Sequence, residues 1–160
     1  DPPLPGEIEN LRREIRRQLA GAIPVVRRQG EMVGLGGTVR VLGRIHLGLE
    51  SDQDDFRQGL RLTREAVAAI RANLQDLSLG QRQRVSGLKA ERADIIVAGA
   101  VVVEEVMTLA DSSALTVCKN GVRDGILLHE AFNSNHSPAR RGAPTRFPKP
   151  LSLSFRPLPS

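Results

Sequence analysis

The sequence predicts an α/β domain rich in helix, followed by a disordered C-terminal tail. Aromatic content is only 2%, with neither Trp nor Tyr, so a core must be built from Leu, Ile, Val and Ala, which is ordinary in helix-rich α/β proteins and unusual in all-β ones. The stretch EMVGLGGTVRVLGRI (31–45) runs from a short apolar segment (Met32, Val33, Leu35) through Gly36 and Gly37 into helical spacing at Val41, Leu42 and Ile45, the order strand, glycine turn, helix. From Ala131 the composition changes: six of the ten prolines and three of the four phenylalanines lie in the last thirty residues, among Ser, Arg and Gly. No period survives there, and residues 131–160 read as a disordered tail.

The remaining 130 residues suit one domain with one core. Asp1–Pro5 is a proline-rich lead, a linker or a cut edge. Glu7–Ala20 carries Ile8, Leu11, Ile15 and Leu19 at helical spacing, with Gly21 just past its end. On its other side Arg12, Arg13, Arg16 and Arg17 are interspersed with Glu9 and Glu14, the pattern of a solvated face. Ser51–Asp55 is an acidic turn. Asp52, Asp54 and Asp55 lack the Gly and distant Glu of an EF-hand loop, so helix entry is the expected role and a cation site the alternative. Thr63–Leu77 is a second amphipathic helix, and a short helical segment starts at Ser78 and stops by Gly87. Glu91–Leu109 combines β-branched runs with a length and flanking acids that favour a helix packed on most sides. Leu115–Cys118 is a short strand, Lys119–Gly121 a turn, and Ile126, Leu127 and Leu128 close the regular part.

Charge narrows the function classes. The formal charge of +5 looks like a nucleic-acid signal, but 18 basic and 18 acidic residues balance over residues 1–130, and the excess sits in Arg140, Arg141, Arg146, Lys149 and Arg156. A neutral body with almost no stacking aromatics argues against a nucleic-acid-binding domain. One cysteine, Cys118, excludes an intrachain disulfide and suits a reducing, cytosolic setting. His46, His129, His136 and Cys118 lack metal-ligand spacing, so no metal site is expected. The longest apolar run, Ile95–Val103, is far shorter than the roughly 20 residues of a membrane-spanning helix. Cytoplasmic location, with no membrane partner, is the expectation.

The glycine turn is the first candidate site. Glycines at a strand–helix junction let backbone N–H groups approach an anion, and the helix N-terminus adds roughly half a positive charge. The turn is not a nucleotide signature: GxGxxG needs a glycine where Val39 stands, and the P-loop Lys is missing. Taken alone, a plain tight turn is the simpler reading. It gains meaning beside LKAERADIIVAGAVVVEEVM (88–107) and LTVCKNGVRDGILLHE (115–130). In this order and at these separations the three segments resemble the second half of Ppx/GppA phosphatases, the exopolyphosphatases and guanosine pentaphosphate phosphohydrolases. GLGGTVRVLGRI looks like that family's glycine turn and following helix, ERADIIVAGAVVVEEVM is similar to its Arg-containing helix, and NGVRDGILL to its Gly-x-Arg-[Asp/Glu]-Gly motif.

The resemblance implies a partial actin/hexokinase-like (ribonuclease H-like) domain over residues 1–130. It implies a cleft whose ligand is polyphosphate or guanosine pentaphosphate, with Gly36, Gly37, Thr38, Arg92 and Arg123 as candidate phosphate or nucleotide contacts. Arg92 has an equal alternative, a helix-end salt bridge with Glu91 or Asp94, and Arg123 a better one, fixing its turn through Asp124. Cys118, where the family usually has Ser, is read as a packed residue. The family's phosphate loops, catalytic Glu and Mg²⁺-holding carboxylates have no counterpart here, so no catalytic residue is assigned, and Mg²⁺ belongs to the complete family enzyme. The expectation is an inactive fragment of a phosphoanhydride hydrolase. The alternative is a non-catalytic interaction module with a polyanion-binding tail, partnered by a second copy or by the missing half-domain.

Overall fold

The computed structural model describes residues 1–20, 32–50 and 58–134. The acidic turn at 51–55 and residues 135–160 of the expected tail lie outside them.

Helix α1 spans Pro5–Leu19, with proline at its first position, where the missing N–H is no loss. The Glu7 carboxylate accepts the Leu4 N–H at 2.8 Å and closes the first turn. Ile8 and Ile15 are buried and Leu11 and Leu19 partly so, as the spacing predicts. The proline-rich lead is tethered rather than free: the Asp1 carboxylate accepts hydrogen bonds from the Leu79 N–H and the Arg82 guanidinium.

Strand β1 (Met32–Gly34) leads into α2 (Gly37–Leu47), which buries Val39, Val41 and Leu42 and ends at Gly48 with φ 64°. Strand β2 (Leu60–Thr63) was not expected from the sequence; four residues are too few for alternation to stand out. Thr63 ends β2 and caps α3 (Arg64–Gln75), its side-chain oxygen accepting the Ala66 N–H at 3.1 Å. The Ser78 and Gln81 side chains form a capping box on α4 (Leu79–Arg82). The helix expected from Glu91 begins later. Ala90–Arg92 forms a separate 3-10 turn and α5 spans Ile96–Leu109, because the Arg92 and Ala93 N–H groups bond three residues back, to Lys89 and Ala90.

Strand β3 (Ala114–Val117) is the centre of a three-stranded sheet ordered β1-β3-β2, parallel to β1 and antiparallel to β2. Helix α5 packs against α1, α2 and α3, and buries Ile96, Val97, Ala100, Val101 and Met107, which accounts for its apolar residues on most sides. Regular structure continues beyond Leu128: α6 spans Val122–Ser134, so Ala131–Ser134 is helix rather than tail. No helix among the described residues is long and apolar enough to cross a membrane.

The arginine-bearing side of α1 is not simply solvated. Arg12 reaches Glu104 at 2.9 Å and also pairs with Glu105, Arg16 bonds Glu105 at 2.7 Å, and Arg71 of α3 bonds Glu104 at 2.8 Å. Arg17, paired with Glu14 on the same helix at 2.6 Å, and Arg13, exposed and bonded to Asn10, behave as the alternating charges suggest. The Glu104–Glu105 doublet inside an otherwise apolar helix was the available signal, since a charge placed there needs a partner from a neighbouring element.

Candidate functional site

The parallel pairing of β1 and β3 sets up the site. The Cys118 N–H donates to the Gly34 carbonyl at 2.9 Å, so both strands end side by side. The loops into α2 and α6 therefore leave the same end of the sheet, where open α/β sheets place their ligands. Gly34 permits this closeness; a Cβ there would come within 2.7 Å of Val39 Cγ1 and 3.1 Å of Leu115 Cδ1.

At the α2 entrance Gly36 has φ 103°, ψ 178° and no side chain caps the helix. The Gly36 carbonyl accepts the Arg40 N–H at 3.2 Å, the first bond of the helix. The N–H groups of Gly37, Thr38 and Val39 thus precede the helical ladder and point out of its positive end. The Arg92 side chain lies directly against Gly37: a Cβ on Gly37 would overlap the Nη1 atom. Thr38 packs on Gly99 of α5, whose built Cβ would sit 2.8 Å from Thr38 Cγ2. Gly37, Thr38 and Arg92, distant in sequence, are thereby brought together.

A guanidinium at a helix N-terminus faces charge of its own sign. Neither Glu91 nor Asp94 pairs with it, and among the described residues Arg92 forms no ion pair. The turn offers only donors, N–H groups and a guanidinium, a set suited to an oxyanion. It contains no carboxylate or imidazole to activate water. Among the described residues no group of three or more His, Cys, Asp and Glu is placed to hold a metal ion.

Arg123 stands apart from this cluster. It is exposed in the first turn of α6, and the turn before that helix is held by Asp124 itself, whose carboxylate accepts the Gly121 N–H at 2.6 Å. No ion pair joins Arg123 to Asp124 among the described residues. Cys118 is half-buried and accepts a hydrogen bond from Gln58 Nε2 at 3.1 Å, and the Gln58 carbonyl oxygen accepts the Lys119 N–H at 2.9 Å. It ties the start of β2 to the end of β3.

The sequence signature of the Ppx/GppA phosphatase family matches residues 1–134. The chain belongs to the Ppx/GppA phosphatase family. An uncharacterized protein of Streptomyces coelicolor is 32% identical over 130 residues, covering 80% of this chain and 38% of its own length. The crystal structure of the Aquifex aeolicus family member superposes with a TM-score of 0.73 at 23% identity, over 86% of this chain and 44% of that one. An exopolyphosphatase from Cytophaga hutchinsonii gives 0.70 at 19% identity, over 83% and 44%. Family and fold are those the three segments suggested, and the fold is the helix-rich, actin-like α/β type seen in part. The chain spans less than half the length of these relatives.

Proposed function

We propose that this chain is part of a Ppx/GppA-type phosphatase and supplies one wall of a phosphate-binding cleft, for polyphosphate or a guanosine pentaphosphate, without hydrolysing either by itself. The observation that carries the reading is the Arg92 guanidinium seated against the uncapped first turn of α2, within a chain of this family. Splitting a phosphoanhydride requires an in-line water and neutralised leaving oxygens, and the donors at Gly36–Thr38 and Arg92 serve only the second need. Arg123 extends the same wall from the first turn of α6. Among the described residues no set of carboxylates is placed to hold Mg²⁺. A cytosolic setting, supported by the single cysteine, completes the reading.

Two measurements test it. With polyphosphate and Mg²⁺, phosphate release by the purified chain should not exceed a protein-free blank; turnover would overturn the claim of inactivity. Titration with pyrophosphate should shift the amide resonances of Gly37–Val39, and Arg92→Ala should weaken binding about tenfold, the scale of one charge-assisted hydrogen bond. Gly37→Ala should act in the same direction by displacing the flexible guanidinium, while leaving the melting temperature nearly unchanged. Undisturbed amides at saturating pyrophosphate would remove the phosphate reading.

A second reading, an interaction module, is favoured by exposed apolar residues at β1 and on α6. The bond from Cys118 to Gly34 turns the Val33 N–H and C=O to the side of β1 that no strand pairs with among the described residues, by the alternation of a parallel ladder. Val33 and Leu35 are large, exposed and apolar, as are Val122, Ile126, Leu127 and Leu128 on α6. The β2 edge, by contrast, displays Arg61. Edges left this apolar are normally covered. We read the cover as the part of the family fold this chain does not span. Mixed with the remaining segment of the Streptomyces coelicolor relative, the chain should form a one-to-one complex that Val33→Lys with Leu127→Glu abolishes. Self-association of the chain with no such complex would instead make a second copy the cover.

A further inference from the structure

Helix α5 and the turn before it touch consecutive residues of the α2 entrance at two places where a side chain is missing. Arg92 fills the space at Gly37, and Thr38 fills the space at Gly99. Glycine weakens a helix interior relative to alanine. Gly99 lies in the body of α5 and is not among the glycines with positive φ, so its backbone does not call for glycine. Space does: a Cβ would come 2.8 Å from Thr38 Cγ2 and 3.1 Å from Oγ1, closer than packed atoms approach. Thr38 is β-branched and half-buried, with few rotamers in which to retreat.

We propose that Gly99 is a positioning residue for the α2 entrance, setting the approach of α5 and hence the distance between Arg92 and the N–H groups of Gly37, Thr38 and Val39. This rests on the reading of that entrance as a phosphate site. Gly99 touches no phosphate itself. A methyl group at position 99 pushes the first turn of α2 away from α5, while Arg92, carried on the segment leading into α5, stays behind. The donors then no longer converge. The nearest obstructing atom is the Thr38 methyl, so a serine at that position removes the closest contact and leaves only the hydroxyl, on a side chain with more rotamers in which to retreat.

The test is a double-mutant cycle on the whole 160-residue chain, with pyrophosphate as the probe. In the Thr38 background Gly99→Ala should weaken binding about tenfold and shift the Gly37–Val39 amides even without ligand. In the Thr38→Ser background the same substitution should change affinity by less than about twofold and leave those amides in place. A merely destabilising substitution would lower the melting temperature in both backgrounds without this dependence on one methyl group. Equal losses in the two backgrounds, or no loss in either, would overturn the proposal. If Gly99→Ala alone is too unstable to titrate, recovery of folding and binding in the double variant supports the assignment and failure to recover overturns it. If the unsubstituted chain does not bind pyrophosphate, the phosphate reading fails, whereas the ligand-free amide shifts still decide whether Gly99 positions the turn.

Discussion

Glu105→Ala is expected to destabilise the chain by about 2–4 kcal/mol, measured by urea unfolding at pH 7. Glu105 is 1% exposed yet charged, and it is tolerated because Arg12 and Arg16 of α1 both bond it. Removing one side of a buried ion pair costs roughly 3–5 kcal/mol because the other charge stays behind. The figure here is lower, since Arg12 keeps Glu104 and Arg16, half exposed, can turn to water. Burial alone would raise the Glu105 pKa, but the hydrogen bonds and charges of Arg16 and Arg12 outweigh it and hold the carboxyl below the usual range. A folded pKa below the unfolded value of about 4.3 means that this stabilisation is fully present above that pH and is lost as pH falls through the folded value. The unsubstituted chain should therefore lose stability steeply on acidification below pH 4, and Glu105→Ala should flatten that dependence. A loss under 1 kcal/mol with an unchanged acid limb would show that α1 is held by Ile8 and Ile15 alone.

Gly87→Ala should cost about 3–5 kcal/mol, from backbone strain together with overpacking. Gly87 has φ 85°, and a Cβ there would lie 2.8 Å from the Ile45 nitrogen and 2.9 Å from the Arg44 carbonyl carbon. These are backbone atoms inside α2 and cannot swing aside. The same displacement would break the bond from Arg44 Nε to the Gly87 carbonyl, 3.1 Å, beside the buried Leu88. Gly48→Ala is the control: φ is 64° but the space is open, so only the left-handed penalty of roughly 1–2 kcal/mol applies. Equal melting temperatures for the two variants would mean that the loop before Leu88 shifts freely away from α2.

The glycine turn, the helix starts at Thr63 and Ser78 and the apolar periods of α1, α2 and α3 were legible because each depends on residues within a few positions of one another. The family was legible for a related reason, since three local segments kept their order and separation. Strand β2 was not, because Leu60–Thr63 is a strand only by virtue of β3. Glu105 was read as a helix-end charge, and Arg12 and Arg16 as solvated, because the partner of each lies about ninety residues away. The α5 start was misplaced for want of any capping side chain to mark it.

At the candidate site the division is the same. The residue types at Gly36, Gly37, Thr38 and Arg92 were enough to nominate a phosphate turn, since glycine backbone and a helix N-terminus suit an anion wherever they occur. Only the packing of α5 on α2 decided that Arg92 reaches Gly37 instead of pairing with Glu91 or Asp94; that Asp124 instead of Arg123 holds the turn after β3 was settled locally, by a bond three residues back. The first of these depends on how closely α5 approaches the α2 entrance, where Thr38 fills the space at Gly99, and a missing side chain leaves its mark in three dimensions alone.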